Sequence, residues 1–391
     1  MKLLYRNKLV LFIIICAVAL GATGLEIVSD SVADSVTVYE GQATLGEGTS
    51  VVFTADEDAV SAGTQTTYTA KLFGIIPIKN VKATIVEPTD LIVGGYPFGV
   101  KLFTDGVIVT GFEDSQSEGS PYSCGVRIGD IITHVNGKAV ESNEQFSRVI
   151  SASQGCELSL SIVRGEAPLT VSVTPHRSSD GSYKLGLWVR DSTAGIGTVT
   201  FVDPQSGVIA GLGHGICDVD TGILLPLYSG SLVGAKIQGI VKGQKGDPGE
   251  LLGSFEENIQ LAALYKNSDV GIFGTMYEKS SLATEKCHPV GKQTEVKTGA
   301  AHILCDLGDG TKRYEIDITK IMGTGQTSNK NMLITVTDQS LLDKTGGIVQ
   351  GMSGSPIIQD GKLIGAVTHV LINDPTKGYG IFIENMLDAA G

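Results

Sequence analysis

A serine set among very small neighbours stands near the end of this 391-residue chain, in Gly351-Met352-Ser353-Gly354-Ser355-Pro356. Small neighbours let a substrate carbonyl approach the Ser353 hydroxyl. They also let backbone N–H groups converge on one point, as a developing oxyanion requires. A hydroxyl is a weak nucleophile at neutral pH unless a base takes its proton. Six histidines are available: His134, His176, His214, His288, His302 and His369. His214 is singled out by its setting, the strand-end turn Gly211-Leu212-Gly213-His214-Gly215, and by its position well ahead of the serine. His369 follows the serine on an expected hairpin and reads as a structural or pocket residue. A third group should orient the imidazole. Asp338, shortly before the serine, Asp269 in Asp269-Val270-Gly271-Ile272, and Asp343 are all open for that role. Asp218 and Asp220 read as turn residues. A serine–lysine pair using Lys344 or Lys362 is the competing chemistry, and it would make His214 dispensable.

These residues need a scaffold. The loop around Ser353 resembles the nucleophile loop of chymotrypsin-like peptidases, which implies an oxyanion held by the N–H groups of Ser353 and of Gly351, two residues earlier, and Gln359 to His369 reads as the hairpin that follows it in that fold. The resemblance implies a mostly β chain with a double β-barrel over residues 185–391. Many glycines (51) and few long amphipathic runs agree with short strands and tight turns. Short helices are expected at about Glu256 to Tyr265 and Ile383 to Ala389. Upstream, Gly125-Val126-Arg127-Ile128-Gly129-Asp130-Ile131-Ile132-Thr133-His134-Val135-Asn136-Gly137 resembles PDZ domains, with residues 88–177 as the module. Asn136-Gly137 should be a two-residue hairpin turn at positive φ. A helix is expected over Asn143 to Ser151. The loop through Phe98, Gly99 and Val100 is where the resemblance places capture of a peptide terminus, the peptide adding as a strand. His176 to Lys184 reads as a linker, and 26–87 as a small β region.

The chain's ends and composition limit the choices further. Lys2, Arg6 and Lys8 precede the apolar run Leu9 to Leu20, which marks residues 1–25 as a signal or membrane anchor with everything after it exported. A formal charge of -13 argues against nucleic acid. No cysteine pair has C-x-x-C spacing and no His/Cys/Asp/Glu cluster has metal-ligand spacing, so neither metal nor cofactor is expected. Gly323 to Lys330 lacks the Gly-Lys-Ser/Thr of a phosphate-binding loop.

Taken together, the leader, the PDZ-like module, the Gly-His-Gly turn, Thr345-Gly346-Gly347-Ile348-Val349-Gln350-Gly351-Met352-Ser353-Gly354-Ser355-Pro356 and Gly365-Ala366-Val367-Thr368-His369 resemble the stage IV sporulation protein B peptidases of endospore-forming bacteria. That resemblance implies a serine peptidase between the mother-cell and forespore membranes. It would cut itself and then a membrane-bound regulatory partner of an intramembrane protease, which switches on the late mother-cell sigma factor. It also implies a His214, Asp338, Ser353 triad. The non-enzymatic alternative is a PDZ-bearing scaffold with an inactive last domain.

Overall fold

The structure is a computed structural model. It describes residues 35–39, 44–45, 51–55, 65–86, 90–113, 119–165, 167–278, 287–322 and 329–390, with Ser29 and Val32 besides. The expected leader and most of the polar stretch Glu26 to Thr49 lie outside the described residues. Among the described residues no helix is long and apolar enough to cross a membrane.

One compact unit comprises residues 1–90 and 292–296. Its sheet orders the strands β1 (Ser35–Tyr39), β5 (Ile76–Val86), β4 (Gln65–Leu72), β3 (Val51–Ala55) and β2 (Thr44–Leu45). Alternation along β4 and β5 buries Tyr68, Ala70, Val81 and Ala83.

The other unit holds everything else. It begins with β6 (Asp90–Val93) and the long strand β7 (Pro97–Phe112). The first half of β7 pairs with β14 (Leu187–Val202) on one side and with β16 (Ser229–Val241) on the other. From β16 the ladder runs through β17 (Glu250–Ser268), β18 (Gly271–Met276) and β15 (Val208–Gly211) back to β14. Six strands therefore close on themselves around Phe98, Val100, Val199, Ile209, Leu232 and Ile272. A second closed barrel follows, β20 (Gly299–Asp306), β21 (Thr311–Ile321), β22 (Met332–Val336), β25 (Lys377–Phe382), β24 (Lys362–Val370) and β23 (Pro356–Gln359). The expected double barrel is thus present. The β23–β24 hairpin turns at Asp360 (φ 51) and Gly361 (φ 80).

Between the two strands of the first barrel that come earliest in sequence lies an inserted module. It contains the second half of β7, β8 (Ile131–Val135), β9 (Lys138–Ala139), helix α1 (Asn143–Ala152), β10 (Leu158–Arg164) and β11 (Ala167–Val173), then the small hairpin β12 (His176–Arg177) and β13 (Tyr183–Lys184). The hairpin turn Asn136-Gly137 has φ 49 and 73, as its residue types require. Its Arg-x-Gly-Asp corner is built on a fully buried carboxylate. Asp130 accepts from Arg127 N at 2.8 Å and from Arg164 Nε and Nη2 at 2.7 and 2.8 Å.

Three sequence expectations need correction. Residues 97–103, assigned above to the PDZ-like module, are a strand of the first barrel. Phe98, Gly99 and Val100 are therefore not an open peptide-capturing loop. Phe98 and Val100 are buried in the barrel core, and a Cβ on Gly99 would lie 2.6 Å from the Phe255 ring. Residues Glu256 to Tyr265 are strand rather than helix, because β16 and β18 pair with β17 on both sides and tertiary pairing overrides local propensity. The C-terminal helix stands, as α3 (Ile383–Ala390), and so does α1.

The Asp130 corner yields a testable expectation. Asp130→Ala strips both Arg164 and a backbone N–H of their acceptor, at a cost of about 2–3 kcal/mol. Trp188, the chain's single tryptophan, sits on β14 where it borders this module. The loss should appear as a lower urea midpoint in its fluorescence, with Asp130→Asn less affected.

Candidate active site

His214 and Ser353, expected from sequence to work together, line one cleft of about 490 Å³. They reach it from different barrels. His214 is delivered by the turn that follows β15 in the first. There Leu212 (φ 67) and Gly213 (φ 68) both adopt left-handed backbone. Gly213 also allows close approach, since a Cβ there would lie 3.0 Å from Thr368 Cγ2. On the other side, a Cβ at Gly215 would lie 2.3 Å from Leu224 Cδ1 and 2.8 Å from Ser268 O. The Gly-His-Gly pattern is thus a packing requirement of the turn.

Ser353 comes from the loop between helix α2 (Gln339–Thr345) and β23 of the second barrel. Gly346 caps α2 in the left-handed region (φ 75), and Gly351 (φ 93) and Gly354 (φ 94) turn the loop. The first barrel holds this loop through β14. Thr198 donates its backbone N–H to Ser353 O at 3.0 Å and its hydroxyl to Gly351 O at 2.9 Å. Thr200 donates its hydroxyl to Gly354 O at 2.8 Å. Both threonines are buried. With the carbonyls so engaged, the N–H groups of Gly351 and Ser353 have no acceptor among the described residues. Two free, neighbouring donors beside a cleft serine are the arrangement an oxyanion needs.

The Ser353 hydroxyl donates to Thr368 O at 2.7 Å. The His214 ring donates through Nδ1–H to Gly215 O at 2.8 Å, since a carbonyl only accepts. That bond fixes the tautomer and leaves the Nε2 lone pair free. Burial pushes the His214 imidazole below its ordinary pKa, and the Gly215 carbonyl opposes the shift only in part.

Among the described residues no carboxylate hydrogen-bonds this imidazole. Asp338, implied above as the third member, is the N-cap of α2. Its oxygens accept from Leu341 N at 3.1 Å, Ser340 Oγ at 2.5 Å and Glu315 N at 3.3 Å. Burial opposes its ionisation, but these hydrogen bonds outweigh burial and hold the carboxyl below its ordinary value. The physical reason for the misplacement is that Asp ahead of a short helix is also what a cap requires. Asp269 lies exposed in the turn between β17 and β18, where its backbone carbonyl accepts from Asn329 Nδ2 at 2.9 Å. Asp343 accepts from Gln339 Nε2 and Lys344 bonds Asp309, both on exposed surface. Neither Lys344 nor Lys362 lines the cleft.

Two cleft residues were missed or undervalued from sequence. The His369 ring lies on that of His214, with centroids 4.8 Å apart and planes tilted by 37°. Burial, with the charges of His214 and Lys330, pushes it down to about 4. Cys217 also lines the cleft, but burial and then the charge of Asp269 raise its thiol pKa, so it is not an activated nucleophile. A separate groove of about 290 Å³ runs along α1 of the inserted module, between Phe146 and Ile150 and the segment Lys184-Leu185-Gly186-Leu187-Trp188-Val189. A Leu-Gly-Leu signal was present there, on the far side of the linker from where the loop was sought.

Comparison with known proteins bears on this geometry. The family model described as SpoIVB peptidase S55 matches residues 181–387. A PDZ domain model matches residues 115–164. Over 121 residues the chain is 32% identical to "Putative zinc metalloprotease LL2128" of Lactococcus lactis subsp. lactis (strain IL1403), covering 30% of this chain and only 28% of that protein. The PDZ domain of the SdrC-like protein Lmo2051 from Listeria monocytogenes aligns at 22% identity and TM-score 0.20, over 22% of this chain and 87% of that one. The Rv3671c protease from M. tuberculosis, active form, aligns at 16% identity and TM-score 0.28, over 50% of this chain and 72% of that one.

The clamp on the serine loop can be tested directly. Thr198→Val keeps the side-chain volume and leaves Gly351 O without its donor, an unsatisfied group worth about 1–3 kcal/mol. Peptidase kcat should fall roughly tenfold or more with KM nearly unchanged. Gly354→Ala would place a Cβ 2.0 Å from Thr198 O at a φ of 94, and activity should be lost. Measured turnover of a peptide ester by both purified variants checks the pair.

Proposed function

Because the chain belongs to the SpoIVB peptidase S55 family, we propose that it is a sporulation serine endopeptidase acting through Ser353 and His214. The observation that carries this reading is the pair of unengaged N–H groups, Gly351 and Ser353, at a cleft lined by His214 and Ser353. The hydroxyl first leaves Thr368 O and turns to His214 Nε2. The Oγ–H bond then breaks, the proton passes to Nε2, and Oγ bonds to the scissile carbonyl carbon. The carbonyl electron pair moves onto oxygen, where the two N–H groups receive it. The oxyanion pair then re-forms the carbonyl as the C–N bond breaks, and His214 gives its proton to the leaving amine nitrogen, leaving an acyl-Ser353. Water deacylates the serine by the same path in reverse. Gly215 O keeps the imidazole in the required tautomer throughout.

The biological setting follows the resemblance of the whole chain. The enzyme is exported across the forespore membrane, anchored by its N-terminal segment, and cleaves itself in the stretch Glu26 to Thr49. It then cleaves a membrane-bound regulatory protein, which frees an intramembrane protease to process the late mother-cell sigma factor. The groove along α1, in place of the Phe98–Val100 segment, takes the peptide ligand of the PDZ-like module by strand addition beside Leu187 to Val189. It regulates cutting without joining the chemistry.

Four outcomes test this. A fluorophosphonate should label Ser353, with labelling abolished in Ser353→Ala and reduced at least 100-fold in His214→Ala; label on another residue refutes the assignment. Ser353→Ala should also accumulate at full length in sporulating cells. Since burial lowers the His214 pKa, the neutral base persists in mild acid, and the acid limb of kcat/KM should fall below the ordinary imidazole value of about 6.5. Asp338→Asn retains a capping side chain and should keep activity within about threefold, where loss of a triad acid costs roughly 10⁴.

A further inference from the structure

The cleft holds a second imidazole that the reaction as written does not use. His369 is the last residue but one of β24, directly after Thr368, the residue whose carbonyl accepts from Ser353 Oγ. Its ring centroid lies 4.8 Å from that of His214, with the planes tilted by 37°, and both rings line the same cleft as the serine. Its Nδ1 is buried and makes no hydrogen bond. For packing alone that is a poor choice, because an orphaned buried polar atom carries a desolvation cost that a leucine or phenylalanine would not. The groups around it are His214 from the first barrel, Ser353 from the nucleophile loop, Tyr379, its register partner on β25, and Lys330, whose ammonium lies 5.3 Å from the Tyr379 ring centroid. Cys217 faces the same cleft as a protonated thiol. Asp269 bears on the cleft through Cys217, but among the described residues no carboxylate acts on His369.

We propose that His369 is a positioning residue for His214: its ring covers one face of that imidazole, keeps water from it, and holds it with Nδ1 on Gly215 O and Nε2 open to the serine. The inference rests on the reading of His214 as base. A ring held at one edge by a single carbonyl bond still rotates and tilts unless a face is also supported. In a site with no carboxylate on Nδ1, the aromatic face supplies that support. A neutral π face also tolerates the imidazolium formed when the proton arrives. His369 remains neutral for this purpose, because burial, His214 and Lys330 all disfavour its charged form.

The test compares His369→Ala, His369→Phe and His214→Ala in the full chain, each checked for folding by circular dichroism. His369→Ala should lower kcat by roughly 10–100-fold with KM within about threefold. By admitting water to His214 it should also move the acid limb of kcat/KM toward higher pH by about half a unit or more. His369→Phe keeps an aromatic face and should restore kcat to within about threefold of wild type, with the limb back at its original position. Unchanged kcat and limb in His369→Ala would overturn the proposal. So would equal losses in the Ala and Phe variants with no movement of the limb, since that pattern is packing alone. Full activity in His214→Ala would instead overturn the assignment of the base, which is a separate and distinguishable failure.

Discussion

The cleft depends on the hold that one strand keeps on one loop. Thr198 and Thr200 point the same way from β14 and give their hydroxyls to Gly351 O and Gly354 O, while Thr198 N–H takes Ser353 O. These bonds cross from the first barrel to the second. Both threonines are buried, so the bonds are shielded from competing water and their loss would strand carbonyls without partners. The loop needs such a hold because it is rich in glycine, which on its own would sample many conformations. Gly354 fits so tightly beneath Thr198 O that no larger residue could replace it without moving one barrel against the other.

Electrostatics within the cleft follow from what is absent as much as from what is present. Among the described residues neither imidazole has a carboxylate hydrogen bond, and both are driven toward neutrality by burial. The Nδ1 proton of His214 goes to a backbone carbonyl. A carbonyl fixes the tautomer as a carboxylate would, but brings no net charge to offset an imidazolium. Apolar neighbours such as Ile216, Val349 and Ile372 share the cleft. Low polarity strengthens the pull of unengaged N–H groups on an oxyanion.

The topology joins the two binding surfaces through the same backbone. β14 begins at the groove along α1 with Leu187 to Val189, passes the cleft at Thr193 to Ile196, and ends in the threonine clamp. Its partner β7 likewise serves the inserted module at one end and the first barrel at the other. The module is therefore spliced into the barrel by two continuous strands, which have register shifts at Trp188/Val189 and Arg190/Ser192 where they pass from one to the other.

What the sequence determined by itself was local chemistry. The Gly351-to-Pro356 loop, the Gly-His-Gly turn and the Asn136-Gly137 hairpin could be read because glycine and asparagine report backbone conformation directly, and the alternation in β4 and β5 because strand period is a local property. The pairing of strands is not local. Tyr96 to Val100 has the composition of a loop-and-strand entry for either the module or the barrel. Only closure of the six-strand ring decided that it was barrel core. Likewise Asp338 was singled out as a triad acid only by the family resemblance, while its position also suited a helix cap, and the fold chose the cap by forming α2 behind it. His369 was unremarkable in sequence because its meaning lies in a ring contact between residues 214 and 369, brought together when a turn of one barrel meets a strand of the other. Spacing along a chain can nominate a nucleophile and its loop, but which groups face an imidazole is set by how two barrels pack, and that depends on the summed contacts of the whole core.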